Sequence, residues 1–127
     1  MAKILIADDE AAVLQFCEFA LKKTTHQVIS SDNGTRTLEI LRENTPDLLV
    51  LDVMLPGVDG YSIQLQMSQD ENFCHIPVII ISGLGETEHL KKAYDLKADH
   101  YLVKPVRLPD VIKAIHLMVS LTPFRNE

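Results

Sequence analysis

The chain has no tryptophan, only two cysteines, and aromatic residues at 6% of its 127 positions. Cys17 and Cys74 form neither a disulfide framework nor a Cys-x-x-Cys motif, so they read as reduced thiols. No apolar run approaches the ~20 residues of a membrane span. The apolar run at 4–7 is too short for the core of a signal peptide. The expected location is therefore the cytoplasm. Low-complexity segments, repeats and blocks of like charge are also missing. Basic residues are outnumbered, 12 Lys and Arg against 18 Asp and Glu, for a net charge of −6. That excludes a nucleic-acid surface, which needs clustered Lys and Arg. It suits a site that holds a cation.

What is present is ordinary for a globular protein, with 46% hydrophobic and 24% charged residues. A chain of this length buries about two thirds of the surface its unfolded form exposes and needs no staples. One domain is expected over 1–121. Residues 122–127 read as a tail or the start of a linker.

Apolar runs and helical stripes alternate along the chain. Short strands are expected at 4–7, 27–30, 48–51, 76–81 and 100–103. Between them Val13, Phe16, Cys17, Ala20 and Leu21 recur at helical spacing. Leu38 and Leu41 begin a second stripe after the turn signal Asp32-Asn33-Gly34, and Pro46 closes it. Ile63 and Met67 mark a third helix opened by Asp59-Gly60. Residues 86–96 read as a fourth helix, and Leu108, Val111, Ile112, Ile115 and Met118 mark a fifth. Five β-α repeats predict an α/β fold, a parallel sheet with helices on both faces. Runs without alternation at 48–51 and 78–81 are what strands buried on both faces look like. The more polar 27–30 is the expected edge.

In such a sheet, ligands bind at the carboxyl ends of the strands. Those ends carry Asp8-Asp9, Asp52, Ser82 and Lys104. Each has an ordinary explanation: Asp8-Asp9-Glu10 as a helix cap, Asp52 and Ser82 as turn residues, Lys104 as a solvated charge. Together on one rim they form a set with a chemical purpose. Packed carboxylates raise one another's pKa values, and a hard dication such as Mg²⁺ removes that penalty. An Asp can also attack a phosphoryl group, a reaction that depends mainly on positioning and charge neutralisation.

With the motifs ILIADDE, LLVLDVMLPGVDG, VIIISG and ADHYLVKP in place, the chain resembles the receiver domains of two-component response regulators. The resemblance runs from Lys3 to about Leu121. It implies a doubly wound, flavodoxin-like five-stranded parallel sheet of order 2-1-3-4-5 with five helices. It implies that Asp52 is the phosphoacceptor, and that Asp8, Asp9, Asp52 and the Met54 backbone carbonyl bind Mg²⁺. It makes Lys104 and Ser82 the groups on the phosphoryl oxygens, and Ser82 with Tyr101 the switch pair. The implied donor is a sensor histidine kinase or a histidine phosphotransfer protein. The implied output is an output domain or downstream protein on the face of the fourth helix, fifth strand and fifth helix, with a phosphorylation-dependent dimer as a further partner. No membrane partner is implied. The chain would be a signalling switch that catalyses its own aspartyl phosphorylation and dephosphorylation, rather than an enzyme in metabolism. It departs from the family pattern at Lys97, where Gly is usual, at Gly83, where Ala is frequent, and at His100, where Asp is frequent. A flavin-binding module of this fold would need a Ser/Thr/Gly-rich loop where Asp8-Asp9-Glu10 stands. A phosphatase forming an aspartyl intermediate would carry an acid at Met54. A receiver that has lost phosphorylation would lack part of the acid, Lys and Ser set.

Overall fold

The computed structural model describes residues 2–83 and 99–121. The helix expected at 86–96 and the departure at Lys97 lie outside the described residues, as do residues 122–127. Five strands are seen: β1 (Lys3–Ala7), β2 (Gln27–Ser31), β3 (Leu48–Asp52), β4 (Val78–Ser82) and β5 (His100–Val103). Four helices are described: α1 (Ala11–Leu21), α2 (Gly34–Asn44), α3 (Gly60–Ser68) and α4 (Leu108–Leu121), the last being the fifth helix of the sequence reading. All strand pairs are parallel, in the order β2-β1-β3-β4-β5.

The burial pattern explains that order. Every residue of β3 and β4 is buried, because helices cover both faces, and the runs are apolar up to their last residues, Asp52 and Ser82. The edge strand β2 has one buried residue, Ser31. Alternate strand residues supply two cores. Leu5, Leu49, Leu51 and Ile80 pack with Ile40 and Leu41 of α2 and Ile63 and Met67 of α3. Ile4, Ile6, Leu48, Val50 and Ile79 pack with Val13, Cys17 and Leu21 of α1 and Val111 and Ile115 of α4. Truncating one of the fully buried Leu or Ile side chains to Ala would cost about 2–5 kcal/mol.

Three details differ from the sequence reading. Asp32-Asn33-Gly34 is not a free turn: Gly34 is the first residue of α2, and Asn33 caps it by accepting the Arg36 N–H at 2.7 Å. Phe16 is only partly buried, and Phe19 is exposed with the Lys23 ammonium 5.3 Å from its ring centroid. Asp8-Asp9-Glu10 does not cap α1, since the N-cap Glu10 makes no side-chain cap hydrogen bond. Asp59, by contrast, caps α3 as expected, accepting the Ser62 N–H at 2.9 Å. Among the described residues no helix is long and apolar enough to cross a membrane.

Candidate functional site

The parallel register brings the expected residues to one end of the sheet. Asp8 follows β1, Asp52 ends β3, Ser82 ends β4 and Lys104 follows β5. Backbone hydrogen bonds hold each position. The Asp8 N–H donates to the Ser31 carbonyl at 3.0 Å, Val53 N–H to Ile81 at 3.0 Å, and Lys104 N–H to Ser82 at 2.7 Å. Asp52 pairs in register with Ile81, so Ser82 stands one residue beyond it on the neighbouring strand.

Close approach of backbones fixes the Asp52 strand end further. Gly60, the first residue of α3, donates its N–H to the Val53 carbonyl at 2.9 Å. A Cβ at this position would stand 2.5 Å from the Asp52 carbonyl oxygen and 2.8 Å from Val53 Cα. Only glycine permits that approach. The Asp52 carboxylate is oriented by the Met54 N–H, which donates to Oδ1 at 3.1 Å.

Asp8, Asp52 and Ser82 are buried at 1%, 1% and 0% exposure. Lys104 Nζ reaches Asp52 Oδ2 at 3.0 Å, Asp8 Oδ1 at 3.6 Å and Glu10 Oε2 at 2.6 Å. Asp8, Asp9 and Glu10 bring one carboxylate oxygen each to within 4.8 Å of one another. Three carboxylates, Asp8, Glu10 and Asp52, thus contact one ammonium, and Asp9 stands beside Asp8 and Glu10. Burial pushes the Asp8 carboxyl up to about 6, with the Asp52 and Glu10 charges adding; the Glu10 N–H on Oδ1 and the Lys104 charge oppose the rise. Asp9 is also raised, by desolvation and then by its hydrogen bond with Asp52 and the Asp52 charge. For Lys104 burial acts downward, but the hydrogen bonds to Glu10 and Asp52 and the charges of Asp8 and Asp52 outweigh it and hold the ammonium well above its ordinary range.

The donor set fits a hard divalent cation. Asp8 Oδ2 is buried with no hydrogen-bond partner, and a buried carboxylate oxygen left bare is costly unless a cation faces it. The set is all oxygen, which suits Mg²⁺.

Of the expected residues, Asp8, Asp9, Asp52 and Lys104 are brought together. Met54 contributes its N–H, and its side chain is exposed. Tyr101 lies away from the rim, buried in the α2–α3 core. The sequence reading missed Glu10 as a site residue. The signal was available in the third consecutive carboxylate of Asp8-Asp9-Glu10, but its reach to Lys104 depends on where α1 starts.

Residues 4–116 match the family described as response regulator receiver domain. The probable transcriptional regulator ycf27 of Porphyra purpurea is 37% identical over 103 residues, 81% of this chain and 41% of that protein. Across the curated relatives compared, the chain spans 39–56% of their lengths. Among solved structures, the phosphorylated cyanobacterial phytochrome response regulator RcpA superposes with a TM-score of 0.84 at 25% identity, covering 98% of this chain and 99% of that one. The Mn²⁺-bound form of response regulator Rcp1 gives 0.80 at 26% identity, covering 94% and 93%. With the family pattern over most of the chain, the 2-1-3-4-5 sheet and the carboxylate rim all in agreement, this chain belongs to the response regulator receiver domains.

Proposed function

We propose that the chain is a phosphorylation switch in which Asp52 accepts a phosphoryl group from a phosphohistidine donor, a sensor histidine kinase or a histidine phosphotransfer protein. The observation that carries this reading is the 3.0 Å contact of Lys104 Nζ with the buried Asp52 carboxylate. A buried carboxylate at a strand end, oriented by a backbone N–H and faced by an ammonium, is a positioned nucleophile. A carboxylate oxygen of Asp52 attacks phosphorus, the P–N bond to the donor imidazole breaks, and its electron pair stays on the departing nitrogen. The open groove of about 500 Å³ beside Lys104, lined by Glu10, Val13 and Val106 among others, leaves room for the donor.

Asp8, Asp9, Asp52 and the Met54 carbonyl would hold Mg²⁺, with Glu10 beside them. When bound, the cation neutralises the carboxylates and the phosphoryl oxygens that meet there. Lys104 supplies a charge-assisted hydrogen bond to the phosphoryl group once it stands on Asp52. Ser82, on the adjacent strand, supplies the hydroxyl. Hydrolysis reverses the state: water attacks phosphorus, the acyl-phosphate P–O bond breaks, and the Asp52 carboxylate is restored. Both steps would be aided by the receiver's own residues.

Ser82 and Tyr101 form the switch pair, and the output is read on β5, α4 and the segment at 86–96. Val103, Leu117 and Leu121 are apolar and exposed on β5 and α4, which supports a protein partner there: an output domain, a downstream protein or a second receiver. The acidic balance supports no nucleic-acid contact by this domain.

The test is acid-labile phosphate incorporation from acetyl phosphate with and without Mg²⁺. Wild type should label only with Mg²⁺, and Asp52→Asn should not label. Equal labelling of the two proteins would sink the assignment.

A further inference from the structure

Two buried hydroxyls, those of Ser31 and Thr37, take no part in the phosphoryl chemistry. Ser31 is the last residue of β2 and Thr37 lies near the start of α2, at 4% and 0% exposure. Thr37 Oγ1 stands 3.0 Å from Ser31 Oγ and 2.8 Å from the Asn33 carbonyl oxygen. Ser31 Oγ donates to the same carbonyl at 2.8 Å. Valine has the shape of threonine, so filling space does not call for the Thr37 hydroxyl. Its bonds tie the end of β2 to the start of α2, as a buried hydroxyl must be bonded to be kept.

That junction reaches the acidic rim on two sides. On one, the Ser31 carbonyl accepts the Asp8 N–H at 3.0 Å. On the other, the Gly34 N–H donates to the Pro56 carbonyl at 2.9 Å. A Cβ at Gly34 would overlap the Val58 carbonyl and stand 2.8 Å from the Val58 nitrogen. Residues 53–59, which join β3 to α3, have no regular structure. Their path is set by what they touch: Gly60 at Val53, and Gly34 at Pro56 and Val58. Met54 lies between these contacts.

From these contacts we infer that Gly34 and Thr37 are positioning residues for the cation: the β2–α2 junction is a strut that fixes the Met54 carbonyl relative to Asp8. The inference rests on the reading of Asp8, Asp9, Asp52 and the Met54 carbonyl as the cation site. Without the Thr37 hydroxyl the junction is held less tightly, and residues 53–59 spend less time in the arrangement that binds. The apparent affinity falls with that fraction. A methyl group at Gly34 displaces the same residues outright.

The experiment uses the full chain and Mn²⁺, which takes the same oxygen ligands. Binding is followed by loss of the electron paramagnetic resonance signal of the free ion. Wild type should bind Mn²⁺ that Mg²⁺ displaces, and Asp9→Asn should bind it far more weakly. Thr37→Val should raise the Mn²⁺ Kd by about 2- to 10-fold, the range of one neutral hydrogen bond. Gly34→Ala should raise it by about 10-fold or more, as loss of an outer-shell support does. Thr37→Ser keeps the hydroxyl and should bind as wild type does. Ile115→Val trims the core on the other face of the sheet, which destabilises the fold without touching the strut; its Kd should not change. Where Gly34→Ala does not fold, Thr37→Val decides alone. An unchanged Kd in Thr37→Val or in a folded Gly34→Ala overturns the inference alone. So does a Thr37→Ser protein as weak as Thr37→Val, or an equal rise in Ile115→Val. A wild type that binds no Mn²⁺, or binds it no better than Asp9→Asn, overturns the cation reading, and the inference with it.

Discussion

Lys104 Nζ lies 3.0 Å from Asp52 Oδ2 and 2.6 Å from Glu10 Oε2, so one ammonium is shared between a buried strand-end carboxylate and an exposed one at the start of α1. The two contacts are worth different amounts. Asp52 is 1% exposed and the Glu10 side chain is 56% exposed. An exposed ion pair contributes about 0–1 kcal/mol. Removing the partner of buried charge costs several times more, because the charge stays behind uncompensated.

The first prediction follows. Without divalent cation at pH 7.5, Lys104→Met should lower unfolding free energy by about 2 kcal/mol, discounted from the fully buried case because Lys104 is partly exposed. Glu10→Gln should change it by less than about 1 kcal/mol. Urea unfolding of the two variants checks this, and equal losses would show that the two contacts are equivalent.

The second concerns pH and cation. Asp8 titrates at about 6 in the fold against an ordinary value of 3.8. The folded state therefore holds a proton that the unfolded state gives up between these values. Stability falls as pH rises through that window, and above about pH 6 the full cost of the ionised Asp8 is present. Two pK units bound that cost at about 3 kcal/mol. Asp8→Asn should thus be more stable than wild type by about 1–3 kcal/mol at pH 7.5 and close to it at pH 4. Mg²⁺ should raise the wild-type melting temperature at pH 7.5 and do far less for the variant. Thermal unfolding at the two pH values, with and without Mg²⁺, decides it; a variant less stable than wild type at pH 7.5 would refute the charge argument.

Much of this site was legible in the sequence because strand ends are legible. The unalternating runs in β3 and β4 announce burial on both faces, and their ends place Asp52 and Ser82 without any knowledge of side-chain contacts. Edge strand β2 was legible for the opposite reason, its polarity. Features that depend on packing between distant segments were not. Whether Glu10 faces the solvent or Lys104 turns on the first turn of α1.

Pro46 announced the end of α2, but the left-handed backbone of the residue before it was hidden, and it supplies a third prediction. Thr45 occupies the left-handed region, at φ 42° and ψ 77°, and its N–H donates to the Leu41 carbonyl to close the helix. A glycine or asparagine is usual at such a position. A β-branched residue there is strained by about 1–2 kcal/mol. Thr45→Gly removes the strain but adds freedom to the unfolded chain, which returns about 0.5–1 kcal/mol. The variant should therefore gain about 0.5–1 kcal/mol in urea unfolding, with phosphorylation unaltered. A loss of stability would mean that the Thr45 side chain makes a contribution larger than its strain.

Two glycines near the site make opposite predictions, although both sit beside an expected phosphoryl-binding residue. Gly60 has backbone atoms of Asp52 and Val53 within 2.8 Å of where a Cβ would be, and backbone cannot swing aside as a side-chain tip can. Gly60→Ala must push α3 off the β3 end or shift Asp52 itself. It should cost about 1–3 kcal/mol and slow phosphorylation from acetyl phosphate at least tenfold, since catalysis here is mostly positioning. Gly83 follows Ser82, and among the described residues nothing lies within 4 Å of its Cβ position. Gly83→Ala should fold at least as well as wild type, gaining up to about 1 kcal/mol by restricting the unfolded chain, and should still label on Asp52. Parallel unfolding and labelling of the two variants checks both halves. A Gly60→Ala protein that labels at the wild-type rate would show that the close approach of α3 is not what holds Asp52 in place.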